Sequence, residues 1–271
     1  MITKPFELTD PTLKKCIHFY YFAKPEYAGE NETYAAFPNI YSYLTFQTVS
    51  EGVDYQYDSY LNQKFVSFLI SSFKQPIVTK TKFLIDEVTI VFKPLGINSF
   101  LTKPVNLYKD EYAKLYIPYP DYPKDLIEIL SIANENLRCM ALEKHLLNIY
   151  KPFTHPFLPG IIEDLDNNHE VTFEEISDKY KVTQKTIIQH FKYYLGRTPA
   201  NYRTILRFRK AYDFFQKNKA VHNLTNLAHL FGYFDQSHLI KDFISITGHK
   251  PKDFFKKIST SEKGDINWMF L

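Results

Sequence analysis

A segment in the last third of the chain carries side chains that can read the edges of base pairs. Ile187, Phe191 and Leu195 recur at helical spacing and predict the buried face of a helix. The opposite face then holds four residues, namely Lys185, Ile188, Gln189 and Lys192. Lysine donates to guanine, glutamine pairs with adenine, and an aliphatic side chain contacts the methyl group of thymine. The pattern therefore predicts a helix that fits the major groove of DNA.

The same arrangement returns 52 residues later. Thr183, Ile187, Phe191, Gly196 and Pro199 recur as Asp235, Leu239, Phe243, Gly248 and Pro251. Each copy combines a capping residue, a helical apolar pattern, a glycine that favours a left-handed helix end, and a proline suited to begin the next helix. The outward positions of the second copy are Gln236, Ser237, Ile240 and Lys241. His238 is ambiguous between packing and contact with DNA.

Further elements are needed to position these two helices. Residues 172–180 and 224–231 each predict a short amphipathic helix just before a capped one, which is the helix-turn-helix arrangement. A helical solenoid is the alternative, but such arrays need about three repeats or more and this chain has two. Residues 199–216 predict a helix of roughly 27 Å between the two units.

Basic residues concentrate in the same region. Residues 179–212 contain nine lysines and arginines and no acid, although the net charge of the whole chain is only +3. A stretch of this kind suits a polyanion, while a solvated helix face is the alternative interpretation. The candidates for contact with the DNA backbone are Arg197, Arg203, Arg207 and Lys250.

One stretch is more specific than the general pattern. It begins at Ala228 with the letters AHLFGYFDQSHLIKDF and is followed by Gly248 and Pro251. It resembles the signature of the AraC/XylS family of bacterial transcription regulators, and the resemblance extends over about residues 157–257. It implies seven helices with a long central one, with double-stranded DNA and RNA polymerase as partners. Ser177 and Lys181 depart from the alanine and glycine usual in the first unit, and a lysine takes the left-handed conformation only at a cost.

The amino-terminal part is rich in strand patterns. Residues 16–22, 39–49, 64–70 and 83–92 each predict a strand, with turn formers such as Glu51-Gly52 between them. Residues 121–150 predict two helices, and three prolines in residues 151–160 predict a linker. Residues 92–100 resemble a segment of AraC-type regulators from Bacteroidetes.

We therefore expect an α+β chain with two domains and a short tail. Residues 1–153 form a β-rich domain with helices at its end, 154–260 the DNA-binding domain, and 261–271 the tail. The family resemblance implies that the first domain is a cupin-like barrel that binds a small effector or mediates dimerisation. Ile127 and Leu147 add apolar surface beyond the main stripe of the helices, and this favours a homodimer.

Other functional classes have weaker support in the sequence. A metal-dependent cupin enzyme needs several histidines, whereas this domain has only His18 and His145, so we expect no metal and no cofactor. An enzyme fused to a DNA-binding module would need a nucleophilic cysteine, and neither Cys16 nor Cys139 lies in such a motif. A non-specific architectural DNA binder is a further alternative. No leader pattern and no apolar run of ~20 residues is present, so we expect a cytoplasmic protein with reduced cysteines.

Overall fold

The computed structural model describes residues 5–23, 32–48, 65–71, 73, 75–81, 86–103, 105–108, 113–217, 224–258 and 268–270. Its amino-terminal elements are β1 (Pro5–Phe6), α1 (Pro11–Cys16), β2 (Ile17–Ala23), β3 (Glu32–Ala36), β4 (Ser42–Thr48), β5 (Phe65–Ile70), β6 (Ile77–Thr81), β7 (Glu87–Phe92) and β8 (Ala113–Leu115). The four strand predictions are confirmed by β2, β4, β5 and β7. The predicted turn at Glu51-Gly52 lies outside the described residues.

Six of these strands form one antiparallel sheet in the order β1-β2-β7-β4-β5-β8. Side chains alternate between the two faces of a strand, so Leu44, Val88 and Ile90 all point to the same side. There they share a buried core with Leu126 and Leu142 from two helices, α2 (Tyr122–Ser131) and α3 (Glu135–Ile149). The two helices predicted between 121 and 150 are thus confirmed, and they cover one face of the sheet.

A second sheet of three strands has the order β6-β3-β9, where β9 (Trp268–Phe270) comes from the carboxy-terminal end. Ala36 pairs with Trp268 and Tyr34 with Phe270. The α+β class is confirmed, but the described strands form two open sheets and not the closed barrel that the resemblance implied. Residues 268–270, expected to be part of a tail, instead add a strand to β3, whose backbone groups they satisfy.

The carboxy-terminal part is helical. Its elements are α4 (Leu158–Asn167), α5 (Phe173–Tyr180), α6 (Gln184–Leu195), α7 (Pro199–Lys217), α8 (Leu224–Leu230), α9 (Gln236–Thr247) and α10 (Pro251–Ile258). These seven helices of the described residues match the number that the resemblance implied. They enclose two cores, one centred on Phe191 and Tyr202 and the other on Phe243 and Phe254. The amino-terminal part contributes Leu95 to the first core and Phe37 to the second.

Candidate nucleic-acid interface

The first helix-turn-helix unit consists of α5 and α6. Thr172 caps α5 in a reciprocal capping box with Glu175, and this pair of contacts defines the start of the helix. The helix ends at Lys181, which itself takes the left-handed conformation with φ 55°. Thr183 then caps α6, accepting from the backbone N–H of Thr186, and Gly196 ends it with φ 69°. The predicted cap at Thr183 and the predicted stop at Gly196 are confirmed, and the left-handed conformation falls on Lys181, the residue expected to take it at a cost.

The outer face of α6 contains the residues predicted to read bases. Lys185 and Gln189 are exposed, and Ile188 keeps 39% of its surface accessible, so this isoleucine is not a core residue. Lys192 differs because its Nζ lies 4.6 Å from the ring centroid of Tyr108, which belongs to the amino-terminal part. This cation–π contact occupies Lys192 in the present conformation. Three of the four predicted side chains therefore point freely into solvent on one helix face.

The second unit consists of α8 and α9. The turn between them passes through Gly232 with φ 69°, where an added Cβ would lie 2.0 Å from the ring of His169, so only glycine fits. Asp235 caps α9 by accepting from the backbone N–H of His238, and Gly248 ends it with φ 73°. Of the four residues predicted to face outward, three are exposed and Ile240 is half-buried; the exposed ones are Gln236, Ser237 and Lys241. Lys250, at the start of α10, is also exposed.

Two arginines of α7 connect that helix to the two units. The Arg203 guanidinium donates to the carbonyl of Val171 at 2.6 Å and lies 4.1 Å from the ring centroid of Phe173, at the start of α5. Arg207 donates to the carbonyl of Gly232 at 3.2 Å. It also approaches Asp242 of α9, with 3.4 Å between Nη2 and Oδ2. Both were predicted as backbone-contact candidates, and here both instead hold the units against the central helix.

Arg197 requires a correction. It is only 3% exposed, and its guanidinium donates to the carbonyls of Asn39 and Ser71 in the amino-terminal part. Burial lowers the pKa of Arg197 to about 10. A buried side chain directed at another part of the chain cannot touch phosphate, so the predicted backbone contact is wrong for this conformation. Arg209, also buried, donates in the same way to the carbonyls of Phe37 and Pro38.

Several cations of the acid-free stretch, residues 179–212, are paired with acids or buried in the folded protein. Acids that lie outside residues 179–212 pair with several of its cations. Lys179 lies 2.6 Å from Asp164 and Lys210 lies 3.0 Å from Asp166, both measured from Nζ to Oδ1. With Arg197 and Arg209 buried, the uncovered positive charge near α6 comes chiefly from the exposed Lys181 and Lys185.

A pair of histidines connects the linker to α6. His155 Nε2 lies 2.8 Å from His190 Nδ1. His155 Nδ1 accepts from the backbone N–H of Leu158 at 3.1 Å, so its neutral ring carries the proton on Nε2 and donates to His190. Burial, with the neighbouring His190, lowers the pKa of His155 to about 4. The contact between the two rings therefore fixes the start of α4 against α6.

The ambiguous residue of α9, His238, has defined contacts. His238 Nε2 lies 3.8 Å from Asp242 Oδ2, and its ring packs edge-on against Tyr233 at 5.3 Å between centroids. Packing thus accounts for His238. Phe234, which the sequence did not predict as a site residue, precedes the cap of α9 and is 87% exposed. The sequence signal is an aromatic residue in the turn, directly before the predicted cap Asp235.

Comparison with known proteins agrees with this geometry. Residues 176–257, which contain α6 to α9, match a family described as a helix-turn-helix domain. Over 80 residues the chain is 34% identical to the HTH-type transcriptional activator RhaS of Mannheimia succiniciproducens. These residues form an AraC-type helix-turn-helix domain. The match covers 29% of this chain and 29% of the length of RhaS.

Two solved structures of ToxT from Vibrio cholerae are similar over most of the chain. One has a TM-score of 0.43 at 11% identity, covering 88% of this chain and 96% of ToxT. The other, with an unsaturated fatty acid bound, has a TM-score of 0.39 at 13% identity and covers 87% and 93%. Within the described residues, no helix is both long and apolar enough to cross a bilayer, and no group of three potential metal ligands occurs.

Proposed function

We propose that this protein is a sequence-specific transcription regulator that binds double-stranded DNA through both helix-turn-helix units of its AraC-type domain. The observation that carries the proposal is that α6 and α9 each expose hydrogen-bond donors on one face while their opposite faces are buried. Lys185 and Gln189 form the first such pair, and Gln236 and Lys241 the second. Side chains of these types recognise base edges in the major groove.

The central helix supports this proposal because it holds both units. Arg203 binds the start of α5 and Arg207 binds the turn before α9, so the two recognition helices share one rigid support. The 19 residues of α7 span roughly 28 Å. Recognition helices that read successive major grooves lie one DNA turn apart, at about 34 Å. A helix of this length is suited to place both of them on the same side of a duplex.

The test is a selection of duplexes from a random pool, followed by titration of the selected duplex and a scrambled one. We expect the selected duplex to bind at least 100-fold more tightly at physiological salt, because specific binding exceeds non-specific binding by 10³ or more in most regulators. Equal affinity for both duplexes would support an architectural binder and refute sequence-specific regulation.

The alternative of an enzyme joined to a DNA-binding module has less physical support. A nucleophilic cysteine needs a lowered pKa, whereas burial raises the pKa of the Cys139 thiol. Cys16 is buried and its Sγ lies 3.6 Å from Ser99 Oγ. Neither thiol has the electropositive, accessible surroundings of a nucleophile. We therefore assign the chain no catalytic role in this proposal, and we place its action with RNA polymerase in the cytoplasm.

For the amino-terminal residues 1–153 we propose sensing of a small effector and dimerisation, with residues 154–260 as the DNA-binding domain. The contacts of Arg197 and Arg209 with carbonyls of the first part support communication between the two. Four apolar side chains on α2 and α3 support the dimer because they are exposed, namely Ile127, Leu137, Met140 and Leu147. Apolar surface that one chain leaves open is commonly buried between two chains.

Sedimentation of the protein at micromolar concentration tests the dimer. We expect a dimer for the natural chain and a monomer for Met140→Glu. Met140 is 67% exposed, so a carboxylate at this position stays hydrated in the free monomer. In the dimer the same carboxylate would be buried in an apolar contact, which raises the free energy of association. Leu230→Glu is the control, because it places the same charge on an exposed leucine of α8, outside the apolar surface of α2 and α3. A monomer for the natural chain, both free and on DNA, would refute dimerisation.

A further inference from the structure

Phe234 has no role in the packing of the protein. At 87% exposure it is the most accessible of the large apolar side chains in the described residues. Its neighbour Tyr233 is only 3% exposed and belongs to the second core. Leaving a phenylalanine in water forgoes a substantial hydrophobic gain. A side chain of this kind beside a recognition helix therefore needs an explanation other than folding.

The two helix-turn-helix units differ at this position. In the first unit the N–H of Val182 donates to the carbonyl of Ser177, and Thr183 follows at once as the cap. In the second unit the N–H of Tyr233 donates to the carbonyl of Ala228 in the same manner. The cap, Asp235, comes two residues after Tyr233. The second turn is thus one residue longer, and the additional residue is Phe234.

The surrounding contacts fix the direction of this residue. Gly232 holds the left-handed corner, closely covered by the His169 ring, and Tyr233 fills the space beneath the turn. Asp235 is committed to capping α9 through the N–H of His238 at 2.7 Å. The backbone N–H of Phe234 lies 3.4 Å from His238 Nδ1. Since both neighbouring residues are held in place, the ring of Phe234 remains directed away from the protein.

The position of Phe234 specifies the kind of partner. It directly precedes the first turn of α9, where Gln236 and Ser237 are exposed. In helix-turn-helix proteins the first residues of the recognition helix contact base edges. Among base-pair groups in the major groove, the C5 methyl of thymine is the one that offers an apolar surface, and phenylalanine is among the side chains that contact it. The apolar ring of Phe234, beside the polar side chains of Gln236 and Ser237, is therefore suited to contact a thymine methyl group.

We propose that Phe234 is a specificity-determining residue that packs against the C5 methyl group of a thymine, next to the base pairs read by α9. The inserted residue gives the second unit an apolar contact at a position that has no counterpart in the turn of the first unit. This inference rests on the proposed DNA-binding function and adds one defined base preference to it. It also makes the two halves of the binding site unequal, because only the second requires a thymine at this place.

The experiment uses the full chain and the duplex selected from a random pool. Each thymine in the segment protected by the second unit is replaced in turn by deoxyuridine, which lacks only the C5 methyl. We expect the natural protein to lose about fourfold in affinity at one of these positions, the equivalent of about 0.8 kcal/mol for one buried methyl group. Phe234→Ala should bind the thymine duplex more weakly and show no loss on that replacement. Phe234→Leu should retain part of the loss.

Leu115→Ala is the control, because Leu115 is an exposed apolar residue on β8 of the amino-terminal sheet, outside both helix-turn-helix units. It should retain the full fourfold loss. A protein that prefers no duplex over a scrambled one would overturn the proposed function and this inference together. Specific binding with equal deoxyuridine effects in the natural protein and Phe234→Ala would overturn the inference alone. So would an unchanged DNA affinity of Phe234→Ala combined with lost transcription activation, which would indicate a protein partner.

Discussion

Replacing Arg197 by methionine separates a structural role from contact with DNA. The guanidinium donates to two carbonyls, those of Asn39 and Ser71, and charge-assisted bonds of this kind contribute ~1.5–3 kcal/mol each. Burial opposes this gain. The pKa of Arg197 falls from 12.5 to about 10, and such a shift corresponds to a cost of roughly 3 kcal/mol. Two such bonds contribute ~3–6 kcal/mol, so the difference leaves a net stabilisation of about 1.5 kcal/mol, which Arg197→Met should remove.

Two measurements on Arg197→Met test this reasoning. Urea denaturation should show a free energy of unfolding lower by about 1.5 kcal/mol, and the dependence of DNA affinity on salt should keep its slope. Lys250→Met is the matched comparison, because Lys250 is exposed and predicted to contact the DNA backbone, so its loss should reduce the slope by about 0.9. Unchanged stability of Arg197→Met, with a slope reduced as in Lys250→Met, would refute the structural role and restore Arg197 as a phosphate contact.

Two further predictions concern base readout and pH. Gln189→Ala should relax base preference in one DNA segment and Gln236→Ala in another, each at a cost of ~1–3 kcal/mol, as measured by repeating the selection with each variant; loss in the same segment would contradict separate reading. Folding keeps His155 neutral, with a pKa of about 4 against an ordinary 6.5, so its stabilisation is present above pH 6.5 and is lost as pH falls towards 4. Allowing for partial exposure, the natural protein should lose about 1 kcal/mol more stability between pH 7 and pH 5 than His155→Phe does in urea titrations, and equal losses would show that the contact with His190 is not linked to protonation.

Local signals in the sequence predicted most of the helical part correctly. The caps at Thr183 and Asp235 and the stops at Gly196 and Gly248 act through neighbouring backbone groups, so a few adjacent residues determine them. The apolar periodicity likewise selected the buried face of each helix. The exposed faces of α6 and α9 followed from that choice.

Contacts between distant residues could not be predicted in this way. Arg197 has the same charge whether it meets phosphate or the carbonyl of Asn39, which lies 158 residues away. The pairing of Trp268 with Ala36 depends on the three-dimensional course of the chain. The greater length of the second turn could be predicted from the sequence. The offset between the units is 51 residues at Ser177 and Ala228 but 52 at Thr183 and Asp235, so one residue is added between these positions. Only the backbone hydrogen bonds identified Phe234 as the additional residue.

The most direct test of the account is the spacing between the two DNA segments that the units contact. Footprinting of the selected duplex should show two protected major-groove segments about 10 base pairs apart on one face. Inserting five base pairs between them turns one segment by about half a turn, beyond the reach of two recognition helices held on α7. We predict that affinity then falls to the level of a duplex that contains one segment alone. Unchanged affinity on the lengthened duplex would contradict binding by both units.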